Sequence, residues 1–313
     1  MPAGGRAESR PVVAVVGATA AGKTGLALEL ARRLGGEIVN TDAMAVYRGM
    51  DIGTAKPSEA ERRSVPHHLL DLLDVTEPLT VAEFQGWARA VIAEVRGRDR
   101  NPVLVGGSAL YTRAVLDRFE FPGTDPEVRR GLEEELALVG PAELHRRLAA
   151  SDPEAAARIL PDNGRRIVRA LEVVTITGRS FTASLPEHEY ADARTVQIGV
   201  DIERSELDPR IEQRVRAMFD AGLVDEVRRL LAAGLAEGRT ARTAIGYREV
   251  TAYLRGETTL EEAVAATITA TRRFSRRQDG WFRKDSRVVW VPWDAPDRVE
   301  RAEAAVRTVT LEG

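Results

Sequence analysis

The chain has 313 residues, 43% of them hydrophobic and 30% charged, which is typical of a globular protein with a full core and room for one accessory domain. It contains no cysteine, which excludes disulfides, thiolate zinc sites and iron–sulfur clusters. No apolar run approaches the roughly 20 residues that cross a bilayer, and Met1–Arg10 has no apolar segment like that of a secretory signal. We therefore expect a cytoplasmic protein with no membrane partner.

The first third of the chain alternates predicted strands and helices. Val12–Val16 is apolar, β-branched and followed by glycine, which predicts a buried parallel strand. In chain order the predicted elements are a strand at 12–16, a helix at 24–34 that stops at Gly35 and Gly36, a strand at 37–41, a helix through 81–95 and a strand at 102–105. Such alternation predicts an open α/β sheet with its functional site at the carboxyl ends of the strands.

Strand patterns disappear between about Arg118 and Glu189. Two charged amphipathic helices are predicted there, Glu127–Ala150 and Pro153–Thr177, and Asp125 before Pro126 is a plausible cap followed by a first helical residue. The stretch therefore predicts an all-helical insertion. The expected domains are a first part of the core at 1–117, the insertion at 118–190, and the rest of the core with C-terminal helices at 191–313.

The last third of the chain returns to the sheet. Thr195–Val200 is a β-branched run that predicts a further strand. The elements predicted after it are helices at 208–221, 224–233 and 260–284 and a last strand at 288–291.

Basic residues are clustered although the formal net charge is −3. Seven basic residues and two acidic ones lie between Arg272 and Arg287. A second cluster holds Arg165, Arg166, Arg169 and Arg179, with Glu172 as the single acid between the first and the last. Such clusters fit either contact with a polyanion or ordinary solvated helix faces, and charge alone does not separate the two.

Residues 17–24 fit the phosphate-loop motif G-x-x-x-x-G-K-[ST], between a predicted strand and a predicted helix. Backbone N–H groups of such a loop converge on one anion, and the start of the helix adds positive potential. Lys23 adds a mobile charge, and the Thr24 hydroxyl can hold Mg²⁺, the expected cofactor. The residues expected to bind a di- or triphosphate are Gly17, Thr19, Ala20, Ala21, Gly22, Lys23 and Thr24.

The motif does not by itself indicate ATP hydrolysis. Motor proteins and GTPases need an acidic residue at the end of another strand, and the strand at 102–105 ends in Gly106-Gly107-Ser108. Asp42 is the nearby acid that ends a predicted strand. It suits either a metal ligand in a small-molecule kinase or a general base that deprotonates an acceptor, and spacing alone does not decide between them.

Four further segments resemble, in order, the signature of the tRNA dimethylallyltransferases, also called tRNA isopentenyltransferases. They are Asn40–Pro57, Pro66–Asp71, Leu104–Tyr111 and Ala244–Arg248. The resemblance runs from about Val12 to Trp281. It implies a parallel sheet of the P-loop NTPase type, flanked by helices, with the all-helical insertion binding the anticodon stem-loop of a tRNA.

The resemblance also implies the reaction. A dimethylallyl group moves from dimethylallyl diphosphate to the N6 of the adenosine next to the anticodon, and no ATP is cleaved. Asp42 takes the role of the base, Ser108 lies beside the diphosphate, and Arg214 resembles the family's second diphosphate-binding arginine. The residues implied to contact tRNA are Asp42, Ala43, Met44, Ala45, Ser108, Arg129, Arg165, Arg166, Arg169, Gly246 and Arg248. We expect a monomer.

Two departures from the family pattern lie beside the expected base. The family usually has Ser where Ala43 stands and Gln where Ala45 stands. Either side chain can hydrogen-bond the target base or order the aspartate, at about 0.5 to 3 kcal/mol for each bond lost. Ala18 and Ala21 replace the family's usual Pro and Ser in the loop, which we expect to be mild because backbone amides bind the anion.

Other functions fit parts of the pattern. An enzyme that prenylates free adenine nucleotides, a P-loop small-molecule kinase and an RNA-binding protein without activity all remain open, although the basic helices favour a polymeric acceptor. The four histidines lack the spacing of a zinc site. Trp281 and Phe282 are expected to pack in the core rather than to stack on RNA.

Overall fold

The computed structural model describes residues 10–119, 121–181 and 188–311. The N-terminal segment considered above for a secretory signal therefore lies outside the described residues, apart from Arg10. The strands are β1 Val12–Val16, β2 Gly36–Asn40, β3 His67–His68, β4 Asn101–Val105, β5 Thr195–Asp201 and β6 Val288–Pro292. The helices are α1 Lys23–Leu34, α2 Glu59–Ser64, α3 Val81–Gly97, α4 Ala109–Leu116, α5 Pro126–Val139, α6 Pro141–Ser151, α7 Pro153–Arg158, α8 Gly164–Thr177, α9 Arg204–Asp220, α10 Leu223–Ala232, α11 Tyr247–Leu254, α12 Leu260–Phe282 and α13 Arg298–Leu311.

The six strands form one parallel sheet in the order β3-β2-β4-β1-β5-β6. All five residues of β1 are buried, because helices cover both faces of a parallel sheet. The predicted parallel α/β sheet flanked by helices is confirmed. Since parallel strands end at the same edge, the turns after β1, β2 and β4 carry the phosphate loop, Asp42 and Ser108 to one edge of the sheet.

In its described residues, the helical insertion has four helices rather than the two predicted. Gly140 and Pro141 separate α5 from α6, because Gly140 has a positive φ of 79° and proline starts the next helix. Asp125 caps α5 as predicted, accepting hydrogen bonds from the N–H groups of Glu127 and Val128. The core of these helices contains Leu132, Leu144, Leu148, Ile167 and Leu171, among others.

The chain divides into two compact units. The first unit ends at Leu116 and resumes at Asp192, and the second unit is Asp117–Ala191. The bounds predicted from the sequence for the helical insertion were 118–190. The ends of the second unit are adjacent: Asp117 pairs with Tyr190 in an antiparallel bridge, and the N–H of Arg118 donates to the carbonyl of Glu189 at 2.9 Å. None of the helices in the described residues is long and apolar enough to span a membrane.

Candidate active site

The phosphate loop connects β1 to α1 and is held by two basic side chains. Lys23 donates from Nζ to the carbonyl of Ala18 at 2.6 Å. Arg210 of α9 donates from Nε to the carbonyl of Ala20 at 3.0 Å, and Ala20 has a left-handed φ of 64°. A cavity of about 490 Å³ opens on this side of the loop, and we call it the loop cavity. It is lined by Ala20, Gly22, Lys23, Thr24, Arg210, Gln213, Arg214 and Ala217.

Two cations in the loop cavity are poorly neutralised by protein. Burial, followed by the charge of Arg214, lowers the pKa of Lys23 to about 7, and the Asp42 carboxylate opposes this shift. Burial also lowers the pKa of Arg214, against the attraction of Asp42. Within the described residues Arg214 has neither a hydrogen-bond acceptor nor an ion-pair partner. An anion bound here would therefore relieve the repulsion between the two cations.

Asp42 is fixed by its backbone and by one carboxylate oxygen. Its N–H donates to Asn40 Oδ1 at 2.9 Å, and Asn40 Nδ2 donates to the carbonyls of Asp42 and Leu69 at 2.9 and 3.0 Å. Asp42 Oδ1 accepts the N–H of Met44 at 2.9 Å. Oδ2 has no hydrogen-bond partner in the described part of the chain, so it is available to a ligand.

The turn after β4 lies against the end of β2. The N–H of Thr41 donates to the carbonyl of Val105 at 2.8 Å. A Cβ on Gly106 would lie 2.3 Å from Thr41 Oγ1, so only glycine permits this approach. Asp42 directly follows Thr41 and Ser108 lies two residues after Gly106, so both residues lie at this edge of the sheet.

A second cavity, of about 550 Å³, contains both of these residues, and we call it the main cavity. It is lined by Thr19 of the phosphate loop, residues 42–44, 53–54 and 243–248, Ser108 and Tyr111, Leu223, and one face each of α9 and α12. Arg214 lines both the main cavity and the loop cavity. A ligand whose anionic end occupies the loop cavity could therefore present its other end to Asp42.

One wall of the main cavity is held by a buried carboxylate. Glu226 accepts the N–H groups of Asp51, Ile52 and Gly53 at 2.8 to 3.2 Å. It also accepts the hydroxyl of Tyr247 at 2.6 Å. Burial and the charge of Glu226 raise the pKa of Tyr247 far above its usual range, so this hydroxyl stays protonated as a donor.

Comparison with known proteins identifies the family. The sequence profile described as IPP transferase matches residues 45–285. The chain belongs to the IPP transferase family. A protein named tRNA dimethylallyltransferase from a Nocardioides species is 72% identical over 97% of each chain, and one of the same name from Streptomyces avermitilis is 60% identical over 95% of each. The crystal structure of a tRNA isopentenylpyrophosphate transferase from Bacillus halodurans is 39% identical and covers 97% of each chain, with a TM-score of 0.72.

Most of the residues implied by the IPP transferase resemblance line one of the two cavities. Those in the main cavity are Thr19, Asp42, Ala43, Met44, Ser108, Arg214, Gly246 and Arg248, and those in the loop cavity are Ala20, Gly22, Lys23, Thr24 and Arg214. Gly17, Ala21 and Ala45 line neither cavity and are buried. They belong to the framework of the turns rather than to the cavity walls.

The four arginines of the helical unit that are implied to contact tRNA fall into two groups. Arg129 and Arg169 both bond to the carboxylate of Glu172, which is 0% exposed and also accepts the N–H of Asp125. Burial raises the pKa of Glu172, but the hydrogen bonds from the two arginines outweigh burial and hold the pKa below its usual value. Arg165 and Arg166 are instead exposed on α8.

Sequence reasoning missed the wall of the main cavity that α12 forms. Thr267, Ala270, Thr271, Phe274 and Arg277 lie on one face of this helix and line the cavity together with Arg273. Their spacing of three and four residues is visible in the sequence, but of these five only Arg277 is among the basic residues of the cluster described above.

The two aromatic residues near the end of α12 behave differently. Phe282 is 3% exposed, as its predicted core position requires, whereas Trp281 is 49% exposed. The core prediction is wrong for Trp281, because adjacent helical residues point about 100° apart.

Proposed function

We propose that this chain transfers a dimethylallyl group from dimethylallyl diphosphate to the exocyclic N6 of the adenosine next to the anticodon in tRNA. The observation that carries the proposal is the position of Asp42 and Arg214. Arg214 lines both cavities, and Asp42 lies in the main cavity with one oxygen free. The names of the relatives support the same reaction.

The proposed chemistry needs a base and an anion site. The amine nitrogen forms a bond to the allylic carbon, the bond from that carbon to the diphosphate oxygen breaks, and the electron pair leaves with the diphosphate. Asp42 Oδ2 takes the proton that the nitrogen loses. The fixed Oδ1 keeps the carboxylate in place during the transfer.

The leaving diphosphate is proposed to occupy the loop cavity. Lys23, Arg214 and the N–H groups at the start of α1 balance the charge that develops on it. The amide groups are fixed before the reaction, so they need no reorganisation when the bond breaks.

Thr24 is the proposed ligand for Mg²⁺. It is exposed in the loop cavity, and its hydroxyl has no hydrogen-bond partner among the described residues. A free oxygen donor of this kind suits Mg²⁺, which takes few protein ligands beside phosphate oxygens. The ion would neutralise negative charge on the diphosphate.

The acceptor is proposed to enter the main cavity with its adenine extracted from the stack of the anticodon loop. Residues 243–248 and the α12 face form the walls there. The exposed Arg165 and Arg166 on the helical unit are the proposed contacts to tRNA phosphates.

The test is transfer of label from radiolabelled dimethylallyl diphosphate with Mg²⁺, offered either unmodified tRNA or AMP. We expect label in tRNA and none in AMP. Label in AMP alone would replace the proposal by a nucleotide prenyltransferase, and label in neither would contradict prenyl transfer. Light scattering on the same sample checks the expected monomer.

A further inference from the structure

The side-chain amide of Gln278 connects two turns of the site. Gln278 lies on α12 and is 5% exposed. Its Oε1 accepts the N–H of Thr19 at 2.8 Å, and its Nε2 donates to the carbonyl of Gly107 at 2.8 Å. One amide therefore satisfies one group of the phosphate loop and one group of the turn after β4.

The connection is closely packed. A Cβ on Gly107 would lie 2.2 Å from Gln278 Nε2, so this contact requires glycine at position 107. The residue after Gly107 is Ser108, which lines the main cavity as Thr19 does. The amide thus sets the distance between two walls of that cavity.

We propose that Gln278 is a positioning residue that holds the phosphate loop and the Gly107–Ser108 turn at the spacing needed to place the donor against Asp42. The proposal rests on the function proposed above. Gln278 acts through Thr19 and Gly107, whose backbone groups it bonds. A side chain with one acceptor and one donor at this position is required, which an amide supplies and a carboxylate does not.

The first test compares Gln278→Met with Gln197→Met. Gln197 is also a buried glutamine, donating to Asp285 Oδ2 at 3.0 Å, but it lines neither cavity. We expect Gln278→Met to lower kcat/KM for the prenyl donor about tenfold to a hundredfold and to weaken pyrophosphate binding, as two lost hydrogen bonds predict. Gln197→Met should lose stability but leave both values within about twofold of wild type. Unchanged pyrophosphate affinity and kcat in Gln278→Met would overturn the proposal.

The second test uses Gln278→Glu and does not depend on the methionine variant folding. A protonated carboxyl has one donor and one acceptor and restores both bonds, whereas the carboxylate cannot donate to Gly107 and repels the phosphate. The ratio of variant to wild-type pyrophosphate affinity should therefore rise at least about fivefold between pH 8 and pH 6. A ratio that does not change with pH would overturn the proposal.

Failure of the proposed function is distinguishable from failure of this inference. A wild-type protein that binds pyrophosphate but labels no tRNA would refute the transfer reaction, while the effect of Gln278 on pyrophosphate affinity would still support its action on the loop. A wild-type protein that labels tRNA, together with Gln278 variants that match it, would refute only the role of Gln278.

Discussion

Asp42 has a fixed carboxylate oxygen and a free one, and each has its own consequence. The bond from the Met44 N–H to Oδ1 orders the turn, and Oδ2 is left for chemistry. An amide at this position keeps the first interaction and removes the second, because its carbonyl still accepts while its nitrogen cannot take a proton. Structure and catalysis can therefore be separated at this residue.

Asp42→Asn should lower the single-turnover rate of transfer by about a hundredfold to ten-thousandfold, the usual contribution of a general base. Pyrophosphate affinity should stay the same or rise, since a negative charge near Lys23 and Arg214 is removed. Asp74→Asn is the control, because Asp74 is an exposed partner of Arg48. Transfer at the wild-type rate in Asp42→Asn would exclude Asp42 as the base.

Lys23 should make donor binding depend on pH. Its pKa of about 7 in the free protein should rise when a diphosphate binds, so binding above pH 7 takes up a proton. Affinity should then fall by up to about tenfold per pH unit above 7.

Calorimetry of pyrophosphate binding at about pH 8, in two buffers of different ionisation enthalpy, measures this proton uptake. Lys23→Arg should abolish it, since arginine stays charged. Binding without proton uptake in the wild type would contradict the lowered pKa.

At the scale of elements, α8 carries arginines with two different roles. Arg166 is exposed, whereas Arg169 is bonded to the buried Glu172. The exposed group can contact a phosphate without breaking a hydrogen bond or ion pair to any described residue. The bonded group also donates to the carbonyls of Pro122 and Gly123, so it connects α8 to the segment that precedes α5.

Arg166→Ala should weaken tRNA binding and reduce the slope of log affinity against log salt by about 1. Its free energy of unfolding should stay within about 0.5 kcal/mol of wild type. The matched variant is Arg129→Ala, which removes bonds to Glu172 and should cost about 1 to 3 kcal/mol in urea unfolding. An Arg166→Ala protein with an unchanged salt slope would assign this arginine to structure.

The elements differ in how well their sequences predict them. β1, the phosphate loop and α1 are encoded locally, by an apolar run, a glycine motif and the left-handed Gly35 that ends the helix. The bond between Arg129 and Glu172 joins residues 43 positions apart, and Gln278 reaches Thr19 across 259 positions. No local pattern indicates such pairs. Short elements such as α2 and β3 were missed for a related reason, because they contain too few residues to show a period.

At the scale of the whole molecule, each compact unit has its own buried core. The two cavities of the site are lined by residues of the α/β unit alone. Binding of the diphosphate should therefore not require the helical unit, whereas recognition of tRNA should.

Replacing residues 118–189 with a short Gly-Ser linker tests this division. We expect pyrophosphate affinity within about threefold of wild type and loss of transfer to tRNA, since the proposed phosphate contacts of Arg165 and Arg166 are gone. Calorimetry and the labelling assay measure the two quantities. A shortened protein that still modifies tRNA at the wild-type rate would remove the helical unit from substrate recognition.

The bridge between Asp117 and Tyr190 has a consequence for how this protein can evolve. The two ends of the helical unit lie side by side, so this unit can become longer or shorter, or be replaced, at an entropic cost that grows only with the logarithm of its length. Selection can thus retune which nucleic acids are recognised while the strand order, and the reaction built on it, is inherited unaltered.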